Sequence, residues 1–373
     1  MPATSRTPVF REIRATLKNT PDDAIINYVK TYITAQNPEQ LHLHAIKTGE
    51  EGKKNACPLI YRFGPPVQGG LVFVVNNKDS QNMLAAVLAH VPTWTGMKKP
   101  VSLVLSAGDA QGDGARALGQ ALLAAGANPD LCIVSVPTGM NIAVANRSRT
   151  VVQVIAEVTG DKSYKQKVAN ADALAGRYVR SVQTVFVVNP PKGRKKEDQE
   201  PSLFREKKIV YLSPLKGFFE IPFAKCEVVS RHSGDGNILS DTTPEKSHVA
   251  LNIYGQPVIN VDAVHKFFED KRNRVCLPYQ NQFPKADAKI FVTTTVVNRG
   301  YVCRDAPAVA LAEELTNKKT ANLLFPRDCQ AAFFDDAFNG KTVMIGAGPN
   351  PSESQLETLR TLMLRSRSYV CGS

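Results

Sequence analysis

The chain has 373 residues, a formal net charge of +12 and 43% hydrophobic residues. That is long enough for two domains and ordinary for globular protein, and it excludes fibrous and low-complexity classes. No apolar run approaches the ~20 residues of a membrane-spanning helix, and MPATSRTPVFREIRATLK lacks the apolar core of a secretory signal.

Along the chain, Arg6, Arg11, Arg14 and Lys18 form a basic arm leading into the first helix. Thr20-Pro21-Asp22-Asp23 is a helix start, with Thr as cap, Pro in the first turn and carboxylates at the positive end of the dipole. Ile25, Val29 and Ile33 recur at helical spacing and predict a helix over 21–36. Leu71–Val75, Val101–Leu105 and Leu131–Val136 then read as buried strands. They alternate with helices at Asp79–Val91 and Asp113–Ala125, the second stopped by Gly126. This alternation predicts an α/β layer with a largely parallel sheet. Thr150–Val158 is rich in β-branched residues and favours strand. A stripe of Tyr164, Val168, Ala171, Leu174, Ala175, Tyr178 and Val182 predicts a helix over 162–183, with Thr184–Val188 a strand.

Three prolines, a glycine and mixed charge mark 189–208 as a linker or exposed loop. The expected organisation is therefore a basic α/β domain at 1–188, the linker, and an α+β domain at 209–373. In the last, Ile209–Leu212, Cys226–Ser230, His248–Tyr254, Val258–Val261 and Ile290–Val297 read as mainly antiparallel strands. Helices are expected at Asp262–Lys271, Ala306–Thr316, Arg327–Ala337 and Ser352–Arg367, the last opened by a capping box of Ser354 and Glu357.

Few residues suggest chemistry. Val343-Met344-Ile345-Gly346-Ala347-Gly348 looks like the opening of a dinucleotide-binding turn, but Pro351 replaces the third glycine and no further strand follows to carry a ribose-binding acid. A tight turn between the last strand and the last helix explains it. His42 and His44 lack a third metal ligand, and His232-Ser233-Gly234-Asp235 reads as a turn. Asp335-Asp336 reads as a solvated helix face. The seven cysteines are dispersed without a CxxC pair, which argues for a reducing compartment, cytoplasmic or nuclear, and against structural zinc. No cofactor is expected.

Charge is the remaining signal. Residues 1–188 hold 20 Lys and Arg against 13 Asp and Glu, 189–208 hold 7 against 4, and 209–373 hold 19 against 17. A one-sided excess attracts polyanions. The leading expectation is a non-enzymatic nucleic-acid-binding or assembly protein, with RNA ahead of DNA, gripping phosphates through Lys165, Lys167, Arg177, Arg180, Lys192, Arg194, Lys195 and Lys196. Its overall profile fits virus matrix, coat or nucleocapsid proteins, self-associating through the second domain. One alternative is an α/β enzyme binding a nucleotide-like ligand at the 106–114 loop through Gly108, Gly112 and Gly114, although Asp109 and Asp113 would repel a phosphate. Another is a peripheral binder of acidic membrane surfaces.

Overall fold

Three runs of apolar residues, Leu71–Asn76 (β3), Val101–Ser106 (β4) and Leu131–Val134 (β5), lie side by side and parallel, with Leu71 opposite both Val101 and Leu131. Continuous hydrophobicity is what a strand needs when both of its faces are covered. The computed structural model describes residues 7–36, 44–47, 59–76, 80–106, 113–159, 171, 173–179, 225–233, 245–254, 266, 268–270, 272–275, 287–298, 300–319, 323–325 and 329–372.

Contacts divide the chain into two units. One comprises residues 1–146, 210–218 and 301–373, the other 147–209 and 219–300. The first unit carries a nine-stranded mixed sheet. Besides β3–β5 it includes β1 (His44–Lys47), β2 (Leu59–Phe63), β6 (Ala143–Asn146), β11 (Tyr301–Val302), β12 (Leu323–Phe325) and β13 (Thr342–Met344), in the order β1-β2-β4-β3-β5-β13-β6-β11, with β12 beside β6. The strands β4-β3-β5-β13 form a parallel centre. Antiparallel pairs close it on both sides. The fold is thus mixed α/β around a parallel centre, as the strand–helix alternation predicts.

The helices of this unit are α1 (Thr7–Asn19), α2 (Asp22–Thr34), α3 (Gln81–His90), α4 (Asp113–Ala124), α5 (Ala306–Thr316), α6 (Ala331–Phe338) and α7 (Glu353–Cys371). Every residue of α3 from Asn82 to His90 is buried. A helix apolar all round must be covered all round. Here β3 lies on one side and α1, α2 and α7 lie on the others.

That third layer corrects the expected basic arm. Residues 7–19 are helix α1, because Ile13 and Leu17 form a stripe that buries against α3 while Arg11 stays exposed. The expected Thr20 cap is also corrected. Pro21 holds the N-cap position of α2, and the Thr20 hydroxyl donates back to the Thr16 carbonyl at 2.8 Å. With α1 ending directly before it, that carbonyl lies within reach one turn back.

At α7 the capping box is Ser352 and Gln355 rather than Ser354 and Glu357. Both pairs have the required spacing. The earlier frame satisfies the first free amides, and Ser354 falls inside the helix. Helix α5 is opened by the Asp305 carboxylate, which accepts from the Ala308 amide at 2.7 Å, and closed by Asn317 in the left-handed region (φ 55°).

The second unit holds a four-stranded sheet of β7 (Arg149–Thr159), β8 (Lys225–Ser233), β9 (Glu245–Tyr254) and β10 (Asp287–Asn298), antiparallel throughout in the order β10-β7-β9-β8. On β7, Val152, Val154, Ala156 and Val158 are buried, and the residues between them are not. That is the alternation of a sheet with one covered face. Residues 173–179 are helical. Leu174, Ala175 and Tyr178 are buried, and the Tyr178 hydroxyl donates to the Phe268 carbonyl at 3.2 Å. The rest of the helix expected over 162–183 lies outside the described residues apart from residue 171. So do Thr184–Val188, the 189–208 segment, Ile209–Leu212 and Val258–Val261.

Candidate functional site at the carboxyl edge of the parallel sheet

In an open α/β sheet, ligands bind beyond the carboxyl ends of the strands, where neighbouring connections leave in opposite directions. Here β3 leads through α3 to β4 on one side, whereas β5 leads on to β6 on the other side. The switch point therefore lies between the carboxyl ends of β3 and β5.

Four segments meet there. After β5 come Ser135, Val136, Pro137, Thr138 and Gly139. After β13 come Ile345, Gly346, Ala347 and Gly348. The first turn of α3 supplies Ser80, Gln81 and Asn82, and β4 ends at the buried Ser106. The β5 and β13 loops are locked together. The Ile345 amide donates to the Val134 carbonyl at 3.1 Å, and the Met140 amide to the Gly346 carbonyl at 2.9 Å. The Thr138 hydroxyl donates to the Asn141 carbonyl (2.7 Å) and accepts from the Gly346 amide (3.1 Å).

Gly346 permits this contact. A Cβ on it would lie 2.3 Å from the Val136 carbonyl oxygen. The glycine pair that resembles a dinucleotide-binding turn thus serves backbone packing between two loops. Met140 sits at φ 63° inside the same crossing, an unusual conformation for a side-chain-bearing residue.

Across the switch point, the Ser80 hydroxyl donates to the Ser135 carbonyl at 2.7 Å, and the Asn82 amide nitrogen donates to the Gly348 carbonyl. Among the described residues, two polar atoms here have no partner although their residues are each 3% exposed: Asn82 Oδ1 and Ser135 Oγ. Buried polar atoms without partners are uncommon in native proteins, and a water, an ion or a ligand can complete their network. Among the described residues this edge is uncharged. It offers hydroxyls, amides and backbone groups, which suit a ligand recognised by neutral hydrogen bonds.

A separate cavity of about 360 Å³ lies between α1, α3 and α7. Its lining includes Arg11 and Arg14 of α1, Glu353, Glu357 and Arg360 of α7, and apolar side chains such as Leu359 and Met363. Its charges have both signs, and Glu357 is already paired with Arg360 at 3.2 Å.

Of the basic residues picked out by charge, only Arg177 is described. It is exposed on the helix at 173–179, beside the buried Tyr178. Lys165, Lys167, Arg180, Lys192, Arg194, Lys195 and Lys196 lie outside the described residues, as do Gly108 and Gly112. Gly114 stands in the first turn of α4. Ser135 and Asn82 carry no sequence signal. Serine and asparagine are common, and only burial without a partner distinguishes these two.

No protein-family model and no curated protein matches the sequence. Solved structures do match the fold. The chain is similar to a tripeptidase from Staphylococcus aureus at 11% identity, covering 98% of this chain and 99% of that one with a TM-score of 0.64. It is similar to a dinuclear metal-binding peptidase of the M20 family from Bacillus subtilis at 10% identity, covering 96% and 99% with a TM-score of 0.56. An amidase of the hydantoinase/carbamoylase family from Burkholderia multivorans matches at 10% identity, covering 99% and 98% with a TM-score of 0.56.

These likenesses correct the expectation drawn from charge. A non-enzymatic nucleic-acid-binding or assembly protein of matrix, coat or nucleocapsid type, with RNA, DNA or acidic membrane as partner and self-association through its second half, does not fit. The chain is instead built end to end on the fold of peptidases and amidases. The error has a physical cause: net charge bears on solubility and non-specific association, and it says nothing about fold. Among the described residues no helix is long and apolar enough to cross a membrane. What the comparisons give is the fold, shared with these three proteins over nearly the whole chain.

Proposed function

We propose that this protein recognises short peptides or related amides at the switch-point crevice between β3 and β5. The observation that carries the reading is the end-to-end likeness to a tripeptidase and an amidase, which takes in both units of the chain. The chemistry of the edge supports it. An amide ligand presents N–H donors and carbonyl acceptors, and Asn82 Oδ1 is a buried acceptor without a donor. The hydroxyl of Ser135 can both donate and accept. The seven cysteines are dispersed along the sequence with no CxxC pair, which supports a reducing compartment such as the cytoplasm.

The test is a panel of dipeptides, tripeptides and N-carbamoyl or N-acyl amino acids. Binding is followed by calorimetry and turnover by release of free amine. Saturable binding of at least one class, weakened by Ser135→Ala, is expected. Neither binding nor turnover across the panel would sink the reading.

A further inference from the structure

The fold's likeness to a dinuclear metal-binding peptidase raises the question of whether these residues suit such a centre. Two metal ions ~3.5–4 Å apart need several donors converging from different strands, drawn from imidazole, carboxylate and thiolate. Such donors would have to come from the segments that follow the parallel strands.

Two of those segments are fully described. Residues 135–139 and 345–349 contain no His, Cys, Asp or Glu. They are also filled by each other, with Gly346 against Val136 and the Thr138 hydroxyl engaged by both loops. The first turn of α3 offers Ser80, Gln81 and Asn82. Among the described residues, no group of three His, Cys, Asp or Glu is placed to hold a metal.

The sequence of the remaining two segments adds little. Residues 77–79 bring Asp79 with Lys78 beside it, and 107–113 bring Asp109 and Asp113. Neither holds a histidine. The six histidines lie elsewhere in the chain, at 42, 44, 90, 232, 248 and 265. His44 is in β1, at the rim of the sheet, and His90 is in the last turn of α3, with Nδ1 2.9 Å from the Ala86 carbonyl oxygen. His232 and His248 stand opposite each other in β8 and β9 of the second unit. Three carboxylates, one of them beside a lysine, are too few donors for two adjacent ions, since a catalytic ion takes about three protein ligands and only one or two can be shared.

We infer that the chain assembles no dinuclear metal centre at this crevice and that it recognises an amide there without metal. This rests on the reading of the crevice as the ligand site. The test uses the untagged full chain dialysed against Zn²⁺, Mn²⁺ or Co²⁺. Bound metal is counted by mass spectrometry, and the Co²⁺ form is examined for visible ligand-field bands. Fewer than two ions per chain, no such bands, and melting unchanged by chelator are expected. Two ions per chain, lost together in Asp109→Asn, would overturn the inference.

Peptide binding is measured separately with chelator present and with metal present. Equal affinity supports metal-free recognition, and binding that appears only with metal overturns it. Absence of binding in both arms defeats the functional reading and leaves the metal count to stand by itself.

Discussion

The two edges of the parallel sheet are built from opposite materials. At the amino edge, charge is gathered and paired. Lys99, just before β4, donates to Asp130, just before β5, at 3.1 Å and to the Tyr369 hydroxyl near the end of α7 at 2.7 Å. Tyr369 in turn donates to Asp130 at 2.6 Å, and the Gly70 amide ahead of β3 donates to the same carboxylate at 2.8 Å. The Lys99 ammonium also lies 4.2 Å from the centre of the Tyr369 ring. Nearby, the buried Arg62 guanidinium donates to the carbonyls of Ala125 and Val67, both at 2.9 Å. The carboxyl edge has no charged side chain among its described residues, and it leaves two buried polar atoms without partners. At the amino edge the charged groups are paired and serve stability, although the buried Thr342 hydroxyl at the start of β13 has no partner among the described residues. The other retains unmet hydrogen-bonding capacity, which is where a ligand gains affinity.

Substitutions at each edge should separate these roles. Gly346→Val has the largest expected effect, because its Cβ would meet backbone, which cannot yield as a side chain can. A loss of about 3 kcal/mol in unfolding free energy is expected, together with loss of peptide binding. Chemical denaturation and calorimetry on the same sample check both. A variant as stable as the parent would show that the two loops are not packed as described.

Asp130→Ala comes next, since it removes the acceptor for three donors at the amino edge. The group is partly exposed, so solvent screening discounts the ion pair and a loss of about 1–2 kcal/mol is expected. Burial pushes the Asp130 carboxyl up, but hydrogen bonds from Tyr369, the Gly70 amide and Lys99 outweigh it and hold the group below its usual range. A depressed folded value stabilises the protein above the ordinary carboxylate range of ~4, and that contribution is lost as pH falls through the folded value. Asp130→Asn should therefore flatten the acid limb of a stability profile. Peptide binding at the other edge should not change. A parallel loss of binding would mean that the edges are coupled.

Tyr369→Phe deletes one donor and keeps the ring over Lys99, for an expected loss of about 1 kcal/mol. Its sign with pH is opposite to that of Asp130. Burial and the bond to Asp130 raise the Tyr369 hydroxyl. Burial would lower Lys99, but its bonds to Tyr369 and Asp130 raise it overall. Both contributions are complete below ordinary tyrosine and lysine values and are lost as pH rises beyond ~10. The parent should lose stability there more steeply than Tyr369→Phe, as measured by melting against pH.

Elements with a strong period were legible in the sequence. The three parallel strands, α3 to α5 and the β-branched β7 all follow from apolar runs, helical spacing and turn residues. The cap of α7 was legible in kind but ambiguous in frame, since Ser352/Gln355 and Ser354/Glu357 satisfy one rule. The long-range connection was not legible. Strand β13, more than 200 residues after β5 in the chain, adds parallel to it with Thr342 opposite Cys132, and a three-residue strand carries no mark of its partner. The candidate site was hidden for a related reason. It is made of serine, asparagine, glycine and backbone, so nothing about it exceeds composition until the fold brings those groups together without partners. The Gly346 signal was visible, but its cause, a close approach to Val136, lies 210 residues away along the chain.

The smallest expected effect is the most discriminating. Ser135 Oγ is buried without a partner, so Ser135→Ala removes an unmet desolvation cost and breaks no hydrogen bond of the hydroxyl. The Ser80 hydroxyl bonds the backbone carbonyl of residue 135, and that contact survives the substitution. Stability should be unchanged or rise by up to about 1 kcal/mol, whereas almost any other buried polar deletion in this sheet would lower it. If the hydroxyl is held in reserve for an amide ligand, the same variant should weaken peptide binding while the fold gains. Stability and affinity moving in opposite directions is the signature of a group kept for function. A variant that loses stability would mean that Ser135 is already satisfied in solution, which would erase the contrast between the two edges at its central residue.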